Sequence, residues 1–193
     1  MDSAERHPSN DQMPGVQGWD PVAALPDGEP ERSFHGQWQY RSGLNVPGPF
    51  YTAGADGGWT GREYAPRHVL YADRLEGYGE FVYRQPKTRD EVHALALAAA
   101  EDMPAAWACD GDLHWTPAAV RRWWHGRRLV EEYITTMLVE WEGSERENER
   151  EAAEGLRDYE AYLAGELADD LRAYVFRLEH GRYPGRGDVL PEL

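Results

Sequence analysis

Residues 144–181 read SERENEREAAEGLRDYEAYLAGELADDLRAYVFRLEHG, and within them Leu156, Tyr159, Leu163, Leu167, Leu171, Tyr174 and Leu178 recur at steps of three or four. That spacing lays one apolar stripe along a helix. Ser144 with Glu147 three residues on has the form of a capping box, and Gly181 stands where a helix C-cap is expected. A single helix from Glu145 to His180, about 36 residues, would run about 54 Å. Gly155 and Gly165 each weaken it by about 1 kcal/mol relative to Ala, so either is a place for a kink or break.

Two further helices lie upstream. Thr88-Arg89-Asp90-Glu91 is a capping box, after which Val92, Leu95, Ala96 and Ala99 line one face as far as Met103-Pro104. Thr116-Pro117 places an N-cap before a proline at the first helical position. Val120, Trp123, Trp124, Val130, Tyr133, Ile134, Met137, Leu138 and Trp141 continue that helix, with Gly126 as a point of splitting.

The N-terminal half is irregular by comparison. Seven prolines fall within residues 1–50, with no sustained period of 2 or 3.6, and residues 1–33 read as a disordered tail. Phe34 to Tyr40 reads as a short strand or docking arm. Residues 45–61, NVPGPFYTAGADGGWTG, are too glycine-rich for a helix, and Phe50, Tyr51 and Trp59 make this a loop packed by its own aromatics. His68–Tyr71 and Glu80–Arg84 are β-like runs separated by Glu76-Gly77-Tyr78-Gly79, a hairpin signal. The expectation is an α+β fold, predominantly helical. A disordered tail (1–33) precedes a single globular domain (34–193), with a small β-hairpin and a bundle of three or four helices ending in a long acidic one.

The 193 residues include 20 Lys+Arg against 35 Asp+Glu, a formal charge of −15 that argues against extended duplex nucleic acid as a partner. Eight Trp and 11 Tyr within a 41% hydrophobic composition are enough for one core. A mean hydropathy of −0.76 and no apolar run near the ~18 residues of a membrane span predict a soluble chain. The first thirty residues show no apolar core of a secretory leader, and the lone Cys109 fits a reducing compartment, so a cytoplasmic location is expected. Nineteen of the twenty basic residues are Arg, with Lys87 the exception, and Ala, Gly and Pro are abundant, a bias that points to a bacterial genome of high GC content.

Three features carry candidate chemistry. Residues 121–128, RRWWHGRR, surround two indoles with four guanidinium groups, the pairing that stacks bases and holds phosphates. If the neighbouring helices form a hairpin turning near Ser144, Arg128 faces Glu160, Arg122 faces Glu166, and Asp169 and Asp170 lie close to Arg121. The island is then neutralised from within. The second feature is Cys109-Asp110-Gly111-Asp112-Leu113-His114-Trp115-Thr116, where carboxylates and an imidazole precede a helix N-terminus. It lacks the remaining ligands of an EF-hand loop or a four-ligand zinc site, so no metal is expected. No P-loop, dinucleotide fingerprint or nucleophile elbow occurs, and no cofactor is expected. The third feature is charge, since residues 140–193 hold 15 acidic and 7 basic side chains.

Three readings follow. The preferred one is an acidic protein-interaction module, an inhibitor, immunity or accessory protein binding a basic partner surface through Glu145, Glu147, Glu149, Glu151, Glu154 and Asp158. The alternative is a small enzyme or ligand-binding protein of secondary metabolism, its pocket drawing on Arg84, Asp110, Asp112, His114, Trp115 and Trp123. Nucleotide or RNA binding through Arg121 to Arg128 is a third, weaker reading.

Overall fold

The computed structural model describes residues 19–54, 60–72, 79–102 and 106–193. In chain order these form α1 (Glu29–Ser33), β1 (Tyr51–Thr52), α2 (Gly61–Tyr64), β2 (Val69–Ala72), β3 (Gly79–Val82), α3 (Arg89–Glu101), β4 (Trp107–Ala108), α4 (Pro117–Gly126), α5 (Arg128–Trp141), α6 (Glu147–Ala164) and α7 (Leu167–His180). The architecture is α+β and predominantly helical. The first eighteen residues of the expected tail, Trp59, the turn residues 76–78 and Met103-Pro104 lie outside the described residues.

The hairpin forms as expected, with Val69 opposite Val82 and Ala72 opposite Gly79 in antiparallel register. Both of its faces are covered. Leu70, Tyr71 and Phe81 belong to a core shared with α4–α7, whereas Val69 and Val82 join a second core with Val92 and Leu95 of α3, Phe50 and Trp107. All eight strand residues are therefore buried, including Glu80, whose carboxylate accepts the Gly61 amide at 2.7 Å. The second pairing joins β1 to β4, tying the aromatic loop to the segment before α4.

The loop's glycines serve close approach. Gly111 donates its amide to the Pro49 carbonyl at 3.0 Å, and a Cβ on Gly111 would lie 2.1 Å from the Gly48 carbonyl oxygen. Two backbone segments cross where no side chain fits.

Several expectations change. Residues 19–33, assigned to the tail by their breakers, pack against the domain: Trp19 and Leu25 are buried in the α3 core, and α1 forms with proline in its first turn. A proline-rich composition forbids a long helix but not aromatic anchoring. Phe34–Tyr40 is neither strand nor arm, since Phe34 packs on Phe50 and Trp38–Tyr40 makes a 3-10 turn.

The long helix is two. It breaks at Gly165, whose φ of −121° and ψ of −100° leave the helical region, and α7 restarts at Leu167. Gly155 stays helical. The Thr88 capping box is complete, with Glu91 N donating to Thr88 Oγ1 and Thr88 N to Glu91 Oε2, and Thr116 caps α4. The Ser144 box is not made. Ser144 Oγ accepts from Arg146 N and donates to Glu149, and α6 begins two residues later, at Glu147, with no side-chain cap.

Splitting at Gly126 turns α4 onto α7 while α5 packs on α6. The helices pair as expected in outline, α5 on α6, but the ion pairs are different ones: Glu142 meets Arg157, and Arg121 of α4 meets Glu179 of α7. Gly155 of α6 is seated against β2.

Candidate functional site

The loop before α4 separates its polar residues instead of gathering them. Asp112 sits in the 3-10 turn Gly111–Leu113, accepts the Tyr174 hydroxyl at 2.8 Å and pairs with Arg177 at 2.7 Å; Arg177 also reaches Asp20 at 3.3 Å. Burial and the Asp112 charge push the Tyr174 hydroxyl well up, so it remains a donor. Burial works against the Arg177 charge, but Asp112 outweighs it and the net shift is upward. This cluster fastens the N-terminal segment and the pre-helix loop to α7.

Asp110 points elsewhere, accepting the Tyr51 hydroxyl at 2.8 Å and contacting His114 Nε2 at 3.0 Å. The His114 ring stacks on Trp38 at 4.9 Å, and the buried Trp115 meets Trp38 edge-on at 5.1 Å. Arg41 covers Trp38 at 4.0 Å, a cation–π contact. Arg84 lies in a third group, stacked over Tyr162 at 4.3 Å and 3.6 Å from Asp158, with its Nε buried and unbonded among the described residues. Trp123 is half-buried against the helical core. Asp112, His114 and Arg84 thus occupy three separate networks.

The Arg-Trp island is engaged, though not with the carboxylates expected from a turn at Ser144. Arg127 stacks over Trp124 at 3.9 Å and pairs with Glu131; Arg128 pairs with Glu132; Arg121 pairs with Glu179 and donates to the Glu192 carbonyl. An open groove of about 510 Å³ runs between α5 and α6 beside Trp124 and Arg127, and Glu131 and Glu160 line it too. Those carboxylates oppose a phosphate.

On α6, Glu147, Glu151, Glu154 and Asp158 follow one another at steps of four, three and four, which keeps them within about 60° around the axis and spreads them over about 16 Å. All four are exposed. Of the other acidic residues singled out from the sequence, Glu145 is exposed ahead of the helix, while Glu149 is largely covered and held by Ser144 and Arg146. The arginines nearest the stripe turn away from it: Arg146 to Glu149, Arg150 to the Ser144 carbonyl, Arg157 to Glu142. Asp158 accepts the Tyr83 hydroxyl at 2.8 Å and faces Arg84.

One turn of α6 past Asp158, Tyr162 lines a narrow apolar cleft that sequence reasoning missed. Trp19, Pro47, Pro49, Tyr162, Tyr174 and Tyr183 line it, and its volume is about 50 Å³. Lys87 and Asp170, paired at 2.7 Å, stand beside these rings, and Tyr162 donates to Asp170 at 2.6 Å. Tyr174 was legible only as a member of the helical core stripe, and Tyr162 lay off that stripe. Trp19 lay in the expected tail, and the single lysine carried no visible partner.

Among the described residues no three His, Cys, Asp or Glu side chains gather as a metal site, and no helix is long and apolar enough to cross a membrane. No protein-family model, curated protein or solved structure matches the chain.

Proposed function

We propose that this chain is a protein-interaction module, acting as an inhibitor, immunity or accessory protein, and that the α6 stripe of Glu147, Glu151, Glu154 and Asp158 docks a basic surface of its partner. One observation carries this reading. Glu147, Glu151 and Glu154 share one exposed face with no ion pair among the described residues, although three arginines on or beside the same helix pair elsewhere. Carboxylates at i and i+4 repel one another and weaken a helix by a few tenths of a kcal/mol. A complementary partner removes that repulsion and is steered to the face by it.

The test is affinity capture from the native lysate with the wild-type chain and with E147Q/E151Q/E154Q, at low and at high salt. A partner held by the wild type at low salt, and lost both with the variant and at high salt, supports the reading. Equal capture by both chains overturns it.

A further inference from the structure

The groove between α5 and α6, at about 510 Å³, falls within the roughly 300–1,000 Å³ of sites that hold a drug-sized molecule. Its apolar lining comes from Trp124 of α4, Ile134 of α5, Leu163 of α6 and Ala168 of α7. Helix ends of both signs meet there, α4 and α6 by their C-termini and α5 and α7 by their N-termini, so the dipoles offset and side chains set the sign. Arg127 is fully engaged: it stacks over Trp124 at 3.9 Å, donates to the Trp124 carbonyl at 3.0 Å and pairs with Glu131 at 3.3 Å. Glu160 lines the same groove, is exposed, and makes no hydrogen bond or ion pair among the described residues. The groove's charged side chains, one Arg against two Glu, therefore leave one negative charge, and it sits on Glu160.

We infer that this groove binds a small organic cation, its ammonium beside Glu160 and its aromatic or alkyl body against Trp124, Ile134 and Leu163. An anion would face Glu131 and Glu160, and Arg127 could meet it only by leaving its own partners. A neutral apolar molecule would cover Glu160 and strip water from a carboxylate without replacing it. A bare metal ion would leave the apolar lining unused, and among the described residues no third ligand stands with the two carboxylates. The site does not rest on the interaction reading above. Glu160 follows Asp158 by two residues, which puts it about 160° away around α6, on the far side from the stripe.

Isothermal titration calorimetry on the full chain tests this with three probes of one shape: naphthylmethylamine, naphthylmethanol and naphthoate. The amine is expected to bind about fivefold more tightly than the alcohol, the advantage of one exposed ion pair, and naphthoate most weakly. E160Q should remove the advantage of the amine and leave the alcohol unchanged. Ala164→Trp, at an exposed position lining the groove, should weaken all three probes. E147Q/E151Q/E154Q should change none of them, because a chain of net charge −15 attracts cations elsewhere too and this variant separates that attraction from the groove. If Ala164→Trp does not fold, E160Q and the three probes on the wild-type chain still decide. Equal binding of amine and alcohol, no binding of the amine, or an advantage that survives E160Q overturns the inference. An advantage lost with E147Q/E151Q/E154Q overturns it as well, and leaves the interaction reading standing.

Discussion

Gly155 of α6 and Leu70 of β2 approach so closely that a Cβ on the glycine would lie 2.6 Å from Leu70 Cδ2, and 2.3 Å from Arg62 Nη1. Leu70 is fully buried, and the Arg62 guanidinium is held by the carbonyls of Pro66, Val69 and Glu151, so neither yields freely. In an open helix Gly→Ala gains about 1 kcal/mol. Here overpacking reverses the sign, and Gly155→Ala should cost about 1–3 kcal/mol, read as a lowered melting temperature. Gly126→Ala, where nothing lies within 4 Å, should be neutral or stabilising. A stabilised Gly155→Ala chain would refute the close packing.

This pair also explains why the sequence told the helices apart poorly. Gly155 and Gly165 look alike as helix-weakening residues; what keeps one helical is contact with a strand eighty-five residues earlier, while the other has no such constraint. The capping boxes teach the same lesson. Thr88 and Ser144 have equivalent local patterns, yet Glu149 takes the Ser144 hydroxyl and the helix starts late. Helix faces and the hairpin were legible because period alone decides them. The cleft was not, because it joins Trp19, the loop at Pro47–Pro49 and α7, residues brought together only by tertiary packing.

Asp112 neutralises Arg177 and satisfies the Tyr174 hydroxyl together. Asp112→Ala leaves both without that acceptor, and Arg177 retains Asp20 at 3.3 Å. The expected loss is about 1–3 kcal/mol, with Asp112→Asn intermediate. Urea unfolding measures it, and an unchanged midpoint for Asp112→Ala would show that the cluster is not a structural clasp.

His68 is buried, its Nδ1 at 2.9 Å from the Arg84 carbonyl, and burial holds its pKa below the ordinary 6.5 despite Glu91 at 4.0 Å. Arg84 and Arg67 disfavour the charged ring further. The unfolded chain therefore takes up a proton near pH 6.5 where the folded chain does not. Stability from this residue is complete above pH 6.5 and is lost as pH falls from there toward the folded value. Thermal melts from pH 7.5 to 5 should show that decline, and His68→Asn should flatten it; a variant keeping the wild-type slope would assign the decline to other groups.

Cys109 is half-buried beside Asp110, and burial first, then that charge, pushes its thiol up to about 11 from 9.0. At pH 8 the thiolate fraction is then about a hundredfold below that of an ordinary thiol, and alkylation by iodoacetamide should slow accordingly relative to the urea-unfolded chain. The raised value also means that this residue's contribution to stability is complete below pH 9 and is lost as pH rises toward 11. Equal alkylation rates in folded and unfolded protein would contradict the burial.

The α6 stripe separates a stabilising surface from a binding one. Were Glu147, Glu151 and Glu154 present to support the fold, replacing them with Gln would destabilise it. They are exposed, their neighbouring arginines are paired elsewhere, and Glu147 repels Glu151 as Glu154 repels Asp158 across one turn. E147Q/E151Q/E154Q should therefore unfold within about 0.5 kcal/mol of the wild type or slightly above it, with the gain shrinking as salt screens the repulsion. Differential scanning calorimetry at low and high salt reads both. A clear loss of stability would mean that the carboxylates serve the helix, and the case for a partner-binding face would fall with it.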